Sequence, residues 1–245
     1  MPSIHLIAGD AAHKAIQAFH STNLATISME GFFEKTRGKI IQDFEREWQN
    51  KKEEIAKLNL SGEEKHLHYQ KTKEMILNFY QHHTNKIIAH KRHYALTLIE
   101  AWHKLKPRTE TSLTSQAYGV QGRIDATHQI DGETIIIDYK TSKQNEINTE
   151  CAIQLAIYTL LHKENCGRMP DKAGIHFLRH GEKLMPTSQQ LLNLAKHTCQ
   201  KIHSLTRHNN IKNYPQKRSG LCKYRTGQCD YYEKCMRFNN ALMRL

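Results

Sequence analysis

The sequence predicts a mixed α/β domain with a large helical region at its N-terminal side. Residues 29–106 carry apolar side chains at helical spacing, whereas residues 109–141 are rich in Thr, Ile, Val and Tyr. A helix over 149–164, a strand over 173–178 and a last helix over about 188–207 follow. Helices, a hairpin and then helix, strand and helix is an order typical of a mixed sheet covered by helices.

The helical region begins with a short helix predicted over residues 9–20 and continues in three pieces. The second piece starts at Ser61, because Glu64 three residues later completes a capping box. The first and third pieces are indicated by apolar faces, and Pro107 ends the third. Their apolar residues are Phe32, Phe33, Ile40, Ile41, Phe44 and Trp48 in the first piece, and Tyr94, Leu98, Trp102 and Leu105 in the third.

The charge balance indicates a polyanionic partner. The chain has 36 Lys and Arg against 24 Asp and Glu, a formal net charge of +12. Nucleic acid is the commonest partner of such a chain, although a merely soluble basic protein is the alternative. No run approaches the roughly 20 apolar residues of a membrane span, and no secretory leader is evident. We therefore expect an intracellular, cytoplasmic protein without a membrane partner.

The hairpin holds the candidate chemical centre. If Asp131-Gly132 forms a two-residue type I′ turn, Asp125 and Asp138 are equally far from it and lie directly opposite each other. Their Cβ atoms would be about 4.5–5.5 Å apart. Lys140 would point to the same face, because side chains alternate along a strand. The opposite face would carry the apolar residues Ile124, Ala126, Ile135 and Ile137.

Two facing carboxylates repel each other, and a neighbouring lysine offsets this only in part. A divalent cation such as Mg²⁺ removes the conflict, retains water ligands and leaves room for a substrate phosphate. The alternative is a surface hairpin with incidental charges. The abrupt change from apolar to charged residues in the run IIIDYK favours the metal site over that alternative.

Four motifs stand in order along about residues 9–160. They are Gly9-Asp-Ala-Ala-His13, Gly122-Arg-Ile-Asp125, Ile-Ile-Ile-Asp138-Tyr-Lys140-Thr-Ser and Gln154-Leu-Ala-Ile-Tyr158. Together they resemble the PD-(D/E)XK nuclease superfamily, and within it the RecB-type exonuclease branch. That branch includes the RecB nuclease domain, the CRISPR-adaptation nuclease and the mitochondrial genome maintenance exonuclease. The resemblance implies a restriction-endonuclease-like core, a mixed central sheet flanked by helices, after an N-terminal helical region.

The resemblance also implies roles for individual residues. Asp125 and Asp138 would bind Mg²⁺ or Mn²⁺, with His13 and the backbone carbonyl of Tyr139 as further ligands. His90 and His93 are rivals to His13, but neither follows a glycine at the motif spacing. Position alone would make His13 an ordinary helix histidine.

Catalysis would depend on the two aspartates, on Lys140 and on the pair Gln154 and Tyr158. Gln154 and Tyr158 are four residues apart and share a helix face. There they could steady Lys140 or contact the DNA backbone. Glu110 on the preceding strand is a weaker candidate.

Six cysteines are present, and three lie close together near the C-terminus: Cys222, Cys229 and Cys235. Disulfides are not expected in an intracellular protein. Some members of the RecB-type branch hold a [4Fe–4S] cluster, so these cysteines are candidates for such a cluster or for zinc. The match is incomplete, because Thr226 occupies an expected cysteine position and no cysteine precedes Cys151. Cys199 is the nearest substitute for a fourth ligand.

These features predict a single nuclease domain over 1–245, with a helical part at 1–107, a catalytic core at 108–208 and a cysteine-bearing tail at 209–245. The predicted activity is metal-dependent hydrolysis of DNA, single-stranded or at duplex ends, by an exonuclease of repair, recombination or phage DNA metabolism. A helicase or recombination protein is an expected partner. The alternatives are a non-catalytic nucleic-acid-binding module with the same fold, or an interaction domain stabilised by an iron–sulfur cluster or zinc.

Overall fold

The computed structural model describes residues 3–24, 27, 29–210, 213–214, 216–220, 222–224 and 227–236. Its helices are α1 (Ile4–His20), α2 (Phe32–Asn50), α3 (Lys52–Ala56), α4 (Gly62–His93), α5 (Leu98–Leu105), α6 (Thr149–Cys166) and α7 (Gln189–Thr206). Its strands are β1 (Arg108–Ser115), β2 (Val120–Ile130), β3 (Glu133–Lys140), β4 (Lys172–Phe177), β5 (Gly181–Pro186), β6 (Lys223–Tyr224) and β7 (Gly227–Gln228).

The central sheet has the strand order β1-β2-β3-β4-β5. Neighbouring strands are antiparallel except β3 and β4, which are parallel and are connected through α6. A parallel pair needs such a crossover, because the chain must return to the end of the sheet where the first strand began before the second strand can start. The fold is therefore a mixed sheet with helices on both faces, as the sequence predicts.

Each face of the sheet has its own apolar core. The helices that precede the sheet pack on one face, where Phe19, Phe44 and Trp102 are buried together with Ile137 and Tyr139. On the other face, Leu155 and Leu161 of α6 pack against Ile124 and Ile136. Alternation along β3 thus directs odd-numbered residues to the N-terminal helices and even-numbered residues to α6.

Local signals predict most of the helix ends. Ser61 and Glu64 form the expected capping box at the start of α4, and α5 ends two residues before Pro107. The prediction for α1 is wrong at its start, because the helix begins at Ile4, where the Ser3 side chain caps it.

The prediction that Tyr94 shares a helix face with Leu98 and Trp102 is also wrong. Tyr94 ends α4, Ala95 has a φ of 51°, and a second capping box of Thr97 and Glu100 starts α5. The capping box was not predicted from the sequence, which assigned Tyr94 to the helix after it instead of to the end of α4. Tyr94 is consequently 40% exposed, whereas Trp102 is buried.

The hairpin forms with the predicted turn and register, but not along its whole length. Asp131 and Gly132 have φ angles of 52° and 84°, as a type I′ turn requires, and the ladder runs from the pair Ile130–Glu133 to the pair Ala126–Ile137. The predicted direct pairing of Asp125 with Asp138 is not part of the ladder. Ile124 is a second correction: it packs on the α6 side, unlike Ala126, so the alternation of β2 is interrupted at Asp125.

The edge strand β5 was not predicted from the sequence. It pairs with β4, and the two strands approach closely at the pair Gly174–Leu184, because a Cβ on Gly174 would be 2.4 Å from the Lys183 carbonyl oxygen.

Among the residues that the structure describes, no helix combines the length and the apolar composition that crossing a membrane requires.

Candidate active site

The site begins where the ladder between β2 and β3 opens. The backbone N–H of Tyr139 donates to the Asp125 carboxylate at 2.7 Å, and its carbonyl oxygen lies 2.9 Å from Nε2 of His13. Both backbone groups of Tyr139 on this side are therefore bonded to side chains rather than to β2. The opening sets the Asp125 carboxylate and the Tyr139 carbonyl beside α1, where His13 contacts both.

His13 lies near the middle of α1. Its second ring nitrogen, Nδ1, is 3.5 Å from Asp125 Oδ2. Gly9 lies one turn earlier, where an added Cβ would be 3.5 Å from Thr141 Oγ1, so the spacing Gly9 to His13 brings α1 against the end of β3. Burial by itself lowers the pKa of His13, but the hydrogen bond and charge of Asp125, with Asp138 and Glu110, outweigh it and raise this pKa.

Asp138 and Lys140 form an ion pair on the α6 side of β3. Lys140 Nζ is 2.7 Å from Asp138 Oδ2 and also donates to Gln154 Oε1 at 2.6 Å. Burial raises the pKa of Asp138 to about 6, and the charge of Asp125 adds to that rise against the opposing charge of Lys140. Lys140 therefore offsets only part of the effect of burial and of the Asp125 charge on the Asp138 carboxylate.

Gln154 joins the ion pair to α6. Its amide nitrogen donates to Asp138 Oδ1 at 2.8 Å and to the Tyr158 hydroxyl at 3.0 Å, while its oxygen accepts from Lys140. Only a side chain with both a donor and an acceptor can bridge an acid and a lysine in this way. Gly122 allows α6 to approach, because a Cβ there would be 2.9 Å from Leu161 Cδ1 and 3.4 Å from Tyr158 Cε1.

Glu110 completes the acidic group from β1. Its φ is 52°, a left-handed conformation that is uncommon for a residue other than glycine, and the register of β1 with β2 omits it. One ligand atom each of Glu110, His13 and Asp125 lie within 4.8 Å of one another. The weaker sequence candidate is thus brought to the centre of the site, whereas the Asp138 carboxylate is held by Gln154 and Lys140.

The residues present fit a hard divalent cation. Carboxylate oxygens, a backbone carbonyl and an imidazole are suitable ligands for Mg²⁺ or Mn²⁺. Asp138 Oδ2 is buried and has no aligned hydrogen-bond donor, although Lys140 is near, so a lone pair remains for a cation.

A family model for the PD-(D/E)XK nuclease superfamily matches residues 2–236. The chain belongs to this superfamily. Its mixed five-stranded sheet with helices on both faces agrees with that membership. A solved structure from Eubacterium rectale, described provisionally as an exonuclease, is 15% identical with a TM-score of 0.48, covering 96% of this chain and 75% of that chain. None of the curated proteins that were compared matches the sequence.

Two further sets of residues that the sequence suggested are not part of the group formed by His13, Glu110 and Asp125. His90 and His93 contact the ring of Tyr94 at the end of α4, with centroid distances of 4.5 Å. Cys222 and Cys229 are joined through a backbone hydrogen bond of 3.0 Å. In the part of the tail that the structure describes, the sulfur atoms of Cys222, Cys229 and Cys235 do not all lie within 4.8 Å of one another.

Behind β3, on the side of the N-terminal helices, lies a cavity of about 20 Å³ that sequence reasoning missed. We call it the histidine cavity. The Tyr139 side chain enters it, with its hydroxyl 3.4 Å from Nε2 of His20. Glu182 at its margin is paired with Lys86. The histidines that line it come from α1, α4, β2 and β4 and are His20, His82, His83, His128 and His176.

Proposed function

We propose that this nuclease is a Mg²⁺- or Mn²⁺-dependent deoxyribonuclease that hydrolyses phosphodiester bonds from DNA ends. The observation that carries the proposal is the contact of Asp138, Lys140 and Gln154 beside the acidic group of His13, Glu110 and Asp125. A lysine held against a buried carboxylate, next to further oxygen ligands, is suited to a phosphoryl centre that gains negative charge.

The roles of the side chains follow from their contacts. A bound cation would be held by Asp125, Asp138 and His13, with the Tyr139 carbonyl and Glu110 in reach, and would polarise the phosphoryl oxygen and lower the pKa of a bound water. Lys140 has three N–H donors: one is donated to Gln154 Oε1, and the ammonium group as a whole is ion-paired with Asp138. A further N–H would be available to a phosphoryl oxygen or to the attacking water.

The reaction is a hydrolysis: the oxygen of water bonds to phosphorus, one phosphorus–oxygen bond of the backbone breaks, and the leaving oxygen takes up a proton. Gln154 and Tyr158 do not take part in bond breaking. They keep Lys140 and Asp138 in register through hydrogen bonds of 2.6, 2.8 and 3.0 Å.

The charge of the chain and the order of its motifs support DNA as the substrate and action from its ends. The net charge of +12 favours a polyanion, whose backbone would be bound with little sequence preference and with strong salt dependence. The motif order of the RecB-type branch favours an exonuclease. By the same resemblance we propose a role in repair, recombination or phage DNA metabolism beside a helicase or recombination partner.

The test is a nuclease assay on linear single-stranded, linear duplex and circular DNA with Mg²⁺ or Mn²⁺. We expect linear DNA to be degraded and circles to persist. Asp138→Ala and Lys140→Ala should each lower the rate by about a thousandfold or more. Lys183→Ala, which removes an exposed lysine from β5, is the matched control and should retain the wild-type rate.

Each other outcome has a clear meaning. Cleavage of circles would replace the exonuclease with an endonuclease. Variants as active as the wild type would remove Asp138 and Lys140 from catalysis. Binding of DNA without cleavage of any substrate would favour the non-catalytic nucleic-acid-binding module.

A further inference from the structure

Arg123 lies at the rim of the acidic group and is not used by the chemistry proposed above. It precedes Asp125 by two residues on β2, and its guanidinium nitrogen is 3.4 Å from Glu110 Oε2. The Arg123 side chain is 66% exposed, whereas that of Glu110 is 19% exposed. One end of this ion pair therefore faces solvent and the other end belongs to the candidate metal centre.

The backbone conformation of Glu110 lets its carboxylate reach both the candidate metal centre and Arg123. The register pairs Thr109 with Ala126 and Thr111 with Ile124 but leaves out Glu110, whose left-handed φ of 52° breaks the ladder at this residue. Such a conformation is unfavourable for a residue other than glycine and persists where the surrounding structure requires it. Here it brings a carboxylate within reach of His13 and Asp125 on one side and Arg123 on the other.

Glu110 cannot serve both partners equally well. A divalent cation that shares its carboxylate neutralises the charge that attracts the guanidinium and itself repels it. An ion pair with one exposed partner contributes little to stability, so it yields readily to a competing ion. The planar guanidinium with its parallel N–H donors is then free, and a phosphate is the anion that it binds best in two-point contact.

We propose that Arg123 binds a backbone phosphate of the nucleic-acid strand, and that metal binding at Glu110 releases it to do so. The inference rests on the proposed function for its metal centre and names a residue that couples the metal to the substrate strand. In the metal-free protein Glu110 holds Arg123. In the metal-bound protein Arg123 extends the basic surface at the site by one phosphate contact.

The test measures two bindings rather than activity. Calorimetry with Mn²⁺ alone compares the wild type with Arg123→Gln, and fluorescence anisotropy with a labelled oligodeoxythymidine compares them in EDTA and in Mn²⁺. The anisotropy is done in a Lys140→Ala background, so that the oligonucleotide is not cut. Lys183→Gln removes a positive charge from exposed β5 and serves as the matched control.

We expect Arg123→Gln to bind Mn²⁺ about threefold to tenfold more tightly, because Glu110 loses its competing partner. With Mn²⁺ it should bind the oligonucleotide about tenfold more weakly, and its salt dependence should fall by about one phosphate contact. In EDTA the loss should be less than about twofold. Arg123→Lys should restore part of the affinity, and Glu110→Gln should raise DNA affinity in EDTA by freeing Arg123.

Equal losses with and without Mn²⁺ would overturn the coupling, and no loss in either condition would overturn the phosphate contact. Unchanged or weaker Mn²⁺ binding by Arg123→Gln would overturn the competition at Glu110. These failures are distinguishable from failure of the proposed function. A wild type that cuts DNA without this binding pattern contradicts only the inference, and a wild type that shows the pattern without cutting contradicts only the proposed activity.

Discussion

The two faces of β3 place titratable side chains in different surroundings. Towards α6, Asp138 and Lys140 form an ion pair that Gln154 supports. Towards the N-terminal helices, Tyr139 enters the histidine cavity, where the buried Nδ1 of His20 and Nε2 of His83 have no hydrogen-bond partner. Adjacent residues of one strand thus belong to a charged pocket and to an aromatic core.

Burial favours the neutral form of both sets of groups, so it raises the pKa of Asp138 and lowers the pKa of the cavity histidines. Burial raises the pKa of Asp138 to about 6, and a bound cation would favour the charged carboxylate again. In the cavity, burial lowers the pKa of His83 and His176 to about 3 and of His128 to about 4, and that of His20 well below its usual value. The α6 face keeps its charge because it has partners, and the cavity keeps its histidines neutral because nearby cations add to the cost of burial.

The largest expected effect comes from removing the negative charge of Asp138 on the α6 face of β3. Asp138→Asn should lower nuclease activity by about a thousandfold or more, because a cation ligand is lost. In EDTA at pH 8 the same change should raise the free energy of unfolding by about 1–3 kcal/mol, since a buried charge with a raised pKa is removed. Denaturant unfolding and the nuclease assay measure the two effects.

Asp131→Asn in the exposed type I′ turn is the matched control for that substitution, because asparagine tolerates the left-handed conformation there. It should leave activity and stability close to those of the wild type. A loss of stability in Asp138→Asn would show that the charge is compensated without a cation.

A second substitution tests whether partners keep the α6 face charged. Gln154→Glu replaces the amide donor by a carboxylate at 2.8 Å from Asp138 Oδ1, so the two acids repel each other and Lys140 is drawn away. We expect a loss of about a hundredfold in kcat at little change in folded structure. Gln200→Glu on the exposed side of α7 is the control, and equal activity of the two variants would contradict a positioning role for Gln154.

The other face is tested by acid. Histidines with a lowered folded pKa contribute stability that is present above pH 6.5, the unfolded value, and that is lost as the pH falls towards about 3 to 4. Each neutral cavity histidine should cost about 1.4 kcal/mol per pH unit in this window. Asp138 acts in the opposite direction between pH values of about 6 and 3.8, and His13, whose pKa is raised, does so above pH 6.5, but these two groups oppose four cavity histidines. The free energy of unfolding, measured with denaturant at pH 7, 6 and 5, should therefore decline steeply as the pH falls.

His83→Phe sharpens this expectation, because the ring stacks on Phe79 and its Nε2 has no hydrogen-bond partner. The variant should lose about one proton from the pH dependence and be more stable than the wild type near pH 5. His197→Gln on exposed α7 should leave the slope unchanged. If both variants keep the wild-type slope, His83 does not contribute to the acid sensitivity.

The smallest expected effect concerns the packing of α6 on the charged face. Gly122→Ala places a Cβ 2.9 Å from Leu161 Cδ1, the end of a flexible side chain, so α6 shifts slightly and Tyr158 with it. We expect a loss of about 1 kcal/mol in unfolding free energy and a fall of several-fold in activity. Gly62→Ala, where nothing lies within 4 Å of an added Cβ, is the control and should not lose stability.

The sequence by itself determined the features that depend on neighbouring residues. The capping box of Ser61 and Glu64 and the turn at Asp131-Gly132 could be read because both use residues a few positions apart. The ordered motifs pointed to the nuclease superfamily, which the family model confirms. The position of Lys140 beside Asp138 followed from the alternation of a strand.

Tertiary structure alone decided where distant segments meet. Local rules predicted an unbroken ladder at Asp125, but Tyr139 bonds instead to the Asp125 side chain and to His13 from α1. The ion pair of Glu110 with Arg123 and the histidine cavity have no sequence signature, because they join side chains from separate elements. Spacing along the chain reports contacts within a helix or hairpin, whereas contacts between elements depend on how the whole chain packs.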